Sequence, residues 1–172
     1  WKIKGEPTAI LVDFTSLIPR KDEILKKLWE AYHVDSISGQ WDYIEPVLFG
    51  YAAGAVIASY VENFCTATDK IAAHFHEWMT AAGGLYLRRH APYVATLFTT
   101  HATVMGRCIA GNPLPLYTDL TKFNADELAR QFNVVAKHSI EKAAAAYHDA
   151  FVTVSDITAN ECKFLLGREP DC

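Results

Sequence analysis

Residues 46–61 read PVLFGYAAGAVIASYV and bear more directly on the fold than any other stretch of the sequence. The stretch carries no charged side chain, and small residues recur at every fourth position, at Gly50, Gly54 and Ala58. On a helix this spacing puts them on one face, where a second backbone can approach closely. The stretch falls short of the about 17 to 25 residues that a membrane span needs. We therefore predict a buried helix over about residues 41–64, at the centre of a bundle.

Apolar residues at helical spacing predict four further helices. Counted along the chain, with the helix over residues 41–64 as the second, the first helix runs over about residues 19–34 and the third from a cap at Thr66 or Thr68 to a stop at Gly83 and Gly84. The fourth begins near Pro92 and ends before Gly111, and the last covers about residues 124–152, with Asn124 and Glu127 as a capping pair. Residues 1–15 are expected to form an extended arm and residues 155–172 a tail. The predicted fold is thus an all-α, single-domain bundle of about five helices spanning residues 1–172.

Composition limits the class of protein. The chain has 172 residues, of which 51% are hydrophobic and 21% charged, as expected for one globular domain with a sizeable core. Its net charge is -4, and lysine and arginine form no run longer than a pair. A nucleic-acid partner is not expected, because the basic surface that binds phosphate backbones is missing.

Four cysteines, Cys65, Cys108, Cys162 and Cys172, form an even set without a CxxC pair. We favour disulfides between Cys65 and Cys108 and between Cys162 and Cys172, since the second would hold the tail in place. The other pairings, or four free thiols, remain alternatives. The chain begins at Trp1 without Met, which fits a processed leader or a chosen boundary. Together these features predict a secreted protein.

The histidines offer candidate binding residues. His101 lies within the apolar stripe of the predicted fourth helix, and His74 on the third helix can face the same interior. A hydrogen-bonded core histidine is the alternative for His101. His74 and His76 lie about 200° apart on a helix, so they cannot share a metal ion. On the last helix, His138, Glu141 and His148 are expected on a solvated face. The predicted ligand-binding residues are His101, His74, Phe75, Trp78, Phe98 and Met105.

One segment resembles part of a known family. Residues 17–39, with Pro19, Leu28 and Trp29, resemble a first globin helix, and the interval from His74 to His101 is similar to that between the two haem-facing histidines of globins. The resemblance implies haem binding by His101, with His74 as a possible second group. The sequence departs from the globin pattern in its second helix and in the proline-rich stretch after Ala110. Haem or metal binding is therefore kept as an alternative function.

Catalytic fingerprints are absent from the sequence. It contains no Gly-x-Ser-x-Gly elbow, no His-Glu-x-x-His helix, and neither a Walker nor a Rossmann glycine pattern. The sequence alone therefore predicts a secreted, non-catalytic helical protein that binds a protein partner or an apolar small molecule. A small all-α enzyme without a recognisable motif is a further alternative, and no catalytic residue, metal ligand or cofactor is assigned.

Overall fold

A three-stranded parallel sheet lies at the centre of the protein. The computed structural model describes residues 4–171, and its strands are β1 (Ala72–His76), β2 (Ala95–Thr100) and β3 (Ala150–Thr153), adjacent in the order β1-β2-β3. The register pairs Phe75 with Phe98 and Phe98 with Phe151, so three buried phenylalanines form a row across the sheet. The chain is therefore an α/β protein, and the all-α prediction is wrong.

Helices connect and cover the strands. Within residues 4–171 a 3-10 helix (Thr15–Arg20) precedes α1, and a second (Leu120–Lys122) follows α5. Helix α3 packs on β1 and β2, with α7 beside it and α2 on its outer side. A second apolar cluster joins α4, α5, α6 and α8. The α-helices are α1 (Lys21–Tyr32), α2 (Trp41–Phe64), α3 (Glu77–His90), α4 (Val104–Gly111), α5 (Leu116–Asp119), α6 (Ala125–Gln131), α7 (Val135–Tyr147) and α8 (Asp156–Leu165).

Helix α2 has the predicted bounds and makes the predicted close crossing. A methyl group on Gly54 would lie 2.5 Å from the carbonyl oxygen of Gly83 in α3, and one on Gly50 would lie 3.1 Å from that of Thr80. The small side chains of α2 thus let the two backbones meet. The central position predicted for α2 is wrong, because only 33% of its most apolar 18-residue window is buried. By length and composition alone, α2 is also the one helix of the described residues long and apolar enough to cross a membrane.

Three of the predicted helices contain strands. The predicted third helix divides into β1 and α3, the fourth into β2 and α4, and the last into α6, α7 and β3. Each strand has six residues or fewer and lies next to a helix, so Phe75, Trp78 and Met79 imitate the spacing of one continuous helix. Gly83 lies inside α3 and does not end a helix as predicted. Its missing side chain makes room for the carbonyl oxygen of Gly50 in α2 and for the ring of Phe75. The capping pair is confirmed, since the side chain of Asn124 accepts a hydrogen bond from the Glu127 N–H.

The predicted disulfides are wrong. Cys65, Cys108 and Cys162 are free thiols, and Cys172 lies outside the described residues. Cys162 belongs to the buried core of α8, so the predicted tail contains a packed helix instead of a loose end needing a covalent tie. The predicted arm has no helix or strand over residues 4–14, and residues 1–3 lie outside the described part. The prediction of an exported protein depended on disulfides, and free thiols give no support for it.

Candidate functional site

Polar side chains collect where β1 and β2 end. In parallel α/β sheets, ligands bind beyond the carboxyl ends of the strands, which all lie at the same edge of the sheet. His74 and His76 lie two residues apart on β1 and therefore share one face of the strand, with ring centres 4.0 Å apart. The prediction that these two histidines point in different directions is wrong, because it assumed a helix. We call this edge, formed by His74, His76, Thr99 and His101, the histidine edge.

Hydrogen bonds connect the members of the histidine edge. His76 Nδ1 lies 3.2 Å from His101 Nε2, and His74 Nε2 lies 2.7 Å from Thr99 Oγ1. Slight desolvation lowers the pKa of His74, and the neighbouring imidazoles of His76 and His101 lower it further. All three histidines are exposed, whereas Thr99 is buried beneath them. The edge therefore presents several imidazole nitrogens to a ligand.

Glu77 anchors the turn that carries His101. Its carboxylate accepts a hydrogen bond from the backbone N–H of His101 at 3.0 Å, and Arg107 lies 3.8 Å from the same oxygen. The backbone of Glu77 has φ 63°, a left-handed conformation that costs energy for a residue with a side chain. This conformation occurs at the junction of β1 and α3, directly after His76. Strained backbone of this kind is commonly found at functional sites.

Two buried glutamates lie behind the same turn. Glu141 of α7 is fully buried and accepts hydrogen bonds from Thr100 Oγ1 at 3.0 Å and from the Val104 N–H at 2.9 Å. Glu161 of α8 accepts one from Thr103 Oγ1 at 3.1 Å. Burial raises the pKa of Glu141 to about 8 and also raises that of Glu161. The expectation that Glu141 is solvated is wrong, because α7 turns this face toward α4.

The structure separates the predicted ligand-binding residues into two groups. His74 and His101 both lie at the histidine edge, and His101 occupies an exposed turn instead of the interior of a helix. Phe75 and Phe98 are buried in the sheet core, and Met105 is buried in the second apolar cluster. A direct role for these three and for Trp78 in ligand binding stays a prediction.

The remaining predicted residues take other positions. Trp78 stacks on Tyr43, with ring centres 6.0 Å apart, and the ammonium group of Lys137 lies 5.5 Å from the centre of the Trp78 ring. His138 and His148 are 2% and 3% exposed, so the prediction of a solvated face fails for them too. The globin-like alternative is wrong in fold, because the two histidines it used lie on a strand and in a turn.

Sequence reasoning missed His76, Glu77 and the threonines of the edge. The signal that could have found them is the alternation of apolar and polar residues from Ala73 to His76, which is typical of a strand. Predicting a strand here would have placed His74 and His76 on one face of the sheet and near the carboxyl end of the strand. Over residues 4–171, no three histidine, cysteine or acidic side chains are arranged to hold a metal ion.

Comparison with known proteins supplies the family. The family model described as Glycogen synthase matches residues 1–172. The chain is 33% identical over 171 residues to glycogen [starch] synthase of Dictyostelium discoideum, covering 99% of this chain and 19% of that protein. It is 34% identical over 173 residues to isoform 2 of Saccharomyces cerevisiae and 31% identical over 173 residues to the liver protein of Rattus norvegicus, each time covering 99% of this chain and 24% of the relative. The chain thus spans about a fifth to a quarter of the length of these relatives.

These matches overturn the functional prediction made from sequence. A secreted, non-catalytic binding protein is wrong, because the whole chain aligns with synthases. The prediction of secretion is wrong as well, because the disulfides on which it depended are missing from the described residues and the whole chain aligns with glycogen synthases.

Proposed function

The chain belongs to the glycogen synthase family, and we propose on this premise that it takes part in glucosyl transfer to glycogen. In this proposal the histidine edge contacts the sugar. The observation that carries the proposal is a cluster of exposed imidazoles at the carboxyl edge of a parallel sheet, in a chain that aligns over its full length with glycogen synthases. The ligand is then a polyol, in place of the apolar small molecule expected from the sequence.

The chemistry of the edge suits a sugar. Each hydroxyl group of glucose both donates and accepts hydrogen bonds, and a neutral imidazole offers one donor and one acceptor nitrogen. His76 and His101 each use one ring nitrogen on the other. Each ring therefore keeps a second nitrogen that can bind a hydroxyl group.

The contact between His76 and His101 requires one ring to donate and the other to accept. Only one proton can lie between His76 Nδ1 and His101 Nε2. When both rings are doubly protonated, two N–H groups face each other and the contact breaks. We therefore expect the geometry of the edge to hold while at least one of the two rings is neutral.

The experiment measures transfer of labelled glucose from a nucleoside diphosphate glucose donor to glycogen by the protein that contains residues 1–172. His76→Ala and His101→Ala remove the two central imidazoles. We expect either variant to lower kcat/KM by about 100-fold, the usual cost of losing a well-placed hydrogen-bonding group at a reacting centre. The control is His90→Ala, at the far end of α3, which removes an exposed imidazole stacked on Tyr86.

The control and the edge variants should give different results. The proposal requires that kcat/KM of His90→Ala stays within twofold of the wild type while the two edge variants lose activity. Activity that survives His76→Ala and His101→Ala would show that the edge does not contact the sugar. A wild-type protein that transfers no glucose would refute the proposed function as a whole.

A further inference from the structure

We propose that Glu141 is a positioning residue of the candidate site, because it fixes the turn between β2 and α4 that carries His101. Where transfer activity is the readout, this inference rests on the proposed function. Glu141 hydrogen-bonds to the turn and not to the exposed imidazoles. Its effect on the site is therefore indirect and acts through the backbone of residues 100–104.

The geometry of the contact supports this role. One oxygen of Glu141 bonds to Thr100, the last residue of β2, and the other bonds to the N–H of Val104, the first residue of α4. A single rigid carboxyl group thus joins the two ends of a turn whose intervening residues include His101. Because Glu141 is fully buried, water cannot easily replace it as a partner for the Val104 N–H.

Two further glutamates restrain the residues between those ends. Glu77 of α3 accepts a hydrogen bond from the N–H of His101, and Glu161 of α8 accepts one from the hydroxyl group of Thr103. The hydroxyl oxygen of Thr103 in turn accepts one from the Gly106 N–H and caps α4. Three helices therefore each contribute one glutamate to the same turn. Glu141 is the only one of the three that binds both ends of the turn, so its loss should free the turn most.

The protonation state of Glu141 identifies the conservative substitution. Burial raises the pKa of Glu141 to about 8, so the group is largely neutral at pH 7. A neutral carboxyl group keeps a carbonyl oxygen to accept from Val104 and offers a hydroxyl group to Thr100, whose oxygen can also accept. The amide of glutamine has the same shape, with a carbonyl oxygen that accepts and an NH2 group that donates. Glu141→Gln should therefore preserve the turn, and Glu141→Leu should release it.

The test compares kcat and KM for Glu141→Leu, Glu141→Gln and the matched control Ile140→Ala, each measured where the variant is folded. Ile140 is the preceding residue of α7 and is also fully buried, but its side chain makes no hydrogen bond to the turn. We expect Glu141→Leu to lower kcat at least tenfold, and Glu141→Gln to remain within threefold of the wild type. Ile140→Ala should lose stability but keep its kcat. The inference fails if folded Glu141→Leu keeps full kcat, or if Ile140→Ala loses as much.

A second readout does not depend on activity. The backbone amide and imidazole resonances of His101, followed by NMR, should shift in Glu141→Leu and stay in place in Ile140→Ala and Glu141→Gln. If the wild-type protein transfers no glucose, the proposed function fails, yet these resonances still decide the positioning role. Unchanged His101 resonances in Glu141→Leu would refute the positioning role even in an active enzyme.

Discussion

Replacing Gly54 with alanine tests the crossing of α2 and α3 most simply. The new methyl group would lie 2.5 Å from the Gly83 carbonyl oxygen and 2.9 Å from the Gly83 Cα. Both are backbone atoms of a helix, so they cannot rotate away as the tip of a flexible side chain can. The two helices must therefore separate, and every contact along the crossing loosens.

The magnitude follows from two opposing effects. Alanine is a better helix former than glycine by about 1 kcal/mol, which favours the variant. Overpacking of a close contact costs about 1 to 3 kcal/mol or more, and a contact this short belongs at the upper end. We expect Gly54→Ala to lower the free energy of unfolding by about 2 kcal/mol, and Gly54→Leu to lower it further. In a chain of this size, a loss of 2 kcal/mol lowers Tm by about 4 to 8 °C.

The assay is chemical and thermal unfolding followed by circular dichroism, with Gly111→Ala as the control. Gly111 ends α4 and has no atom within 4 Å of an added methyl group, so its replacement should be neutral or stabilising by up to about 1 kcal/mol. The control therefore reports the helix-propensity gain without a clash. Gly54→Ala at least as stable as the wild type would refute the close crossing of α2 and α3.

Two further predictions concern pH and thiol chemistry. Burial lowers the pKa of His138 and His148 to about 4, so the unfolded state binds more protons below pH 6.5 and stability falls as the pH drops from 6.5 toward 4. Glu141, with its pKa raised to about 8, binds a proton in the folded state, so stability falls as the pH rises toward 8. Denaturant titrations should show a maximum near pH 6.5, with each group contributing at most about 1.4 kcal/mol per pH unit. Glu141→Gln should weaken the decline in stability above pH 6.5, and a decline unchanged in that variant would contradict the assignment. Burial also raises the pKa of Cys162 to about 12, so alkylation without reductant should label the half-buried Cys65 in the native protein and Cys162 only after unfolding. Mass spectrometry reads the labels, and a thiol that needs reduction first would contradict the free-cysteine structure.

The long helix was predictable because its signal is local. An uncharged stretch of this length admits few alternatives to a helix, and the spacing of Gly50 and Gly54 encodes a close crossing irrespective of the partner. The cap at Asn124 is local as well. Neither feature needs information about residues distant in sequence, and the structure confirms both.

The sheet was not predictable by helical periodicity, because its strands are short and are buried by distant segments. Phe98 pairs with Phe75 and Phe151, which lie more than twenty and more than fifty residues away, and no local pattern reveals that row. Assuming helices also gave a wrong picture of the site. Helical geometry places His74 and His101 in an interior and separates His76 from His74, although the strand β1 and the turn after β2 bring all three to one edge.

Contact between the histidine edge and the sugar can be tested by an NMR titration of the imidazole resonances with a nucleoside diphosphate glucose donor and with maltoheptaose, a soluble linear glucan. We expect saturable shifts of His74, His76 and His101, with His138 unchanged because it is buried and bonds to Asp126 of α6. Resonances of the histidine edge that stay unmoved at saturating donor and glucan would contradict this contact.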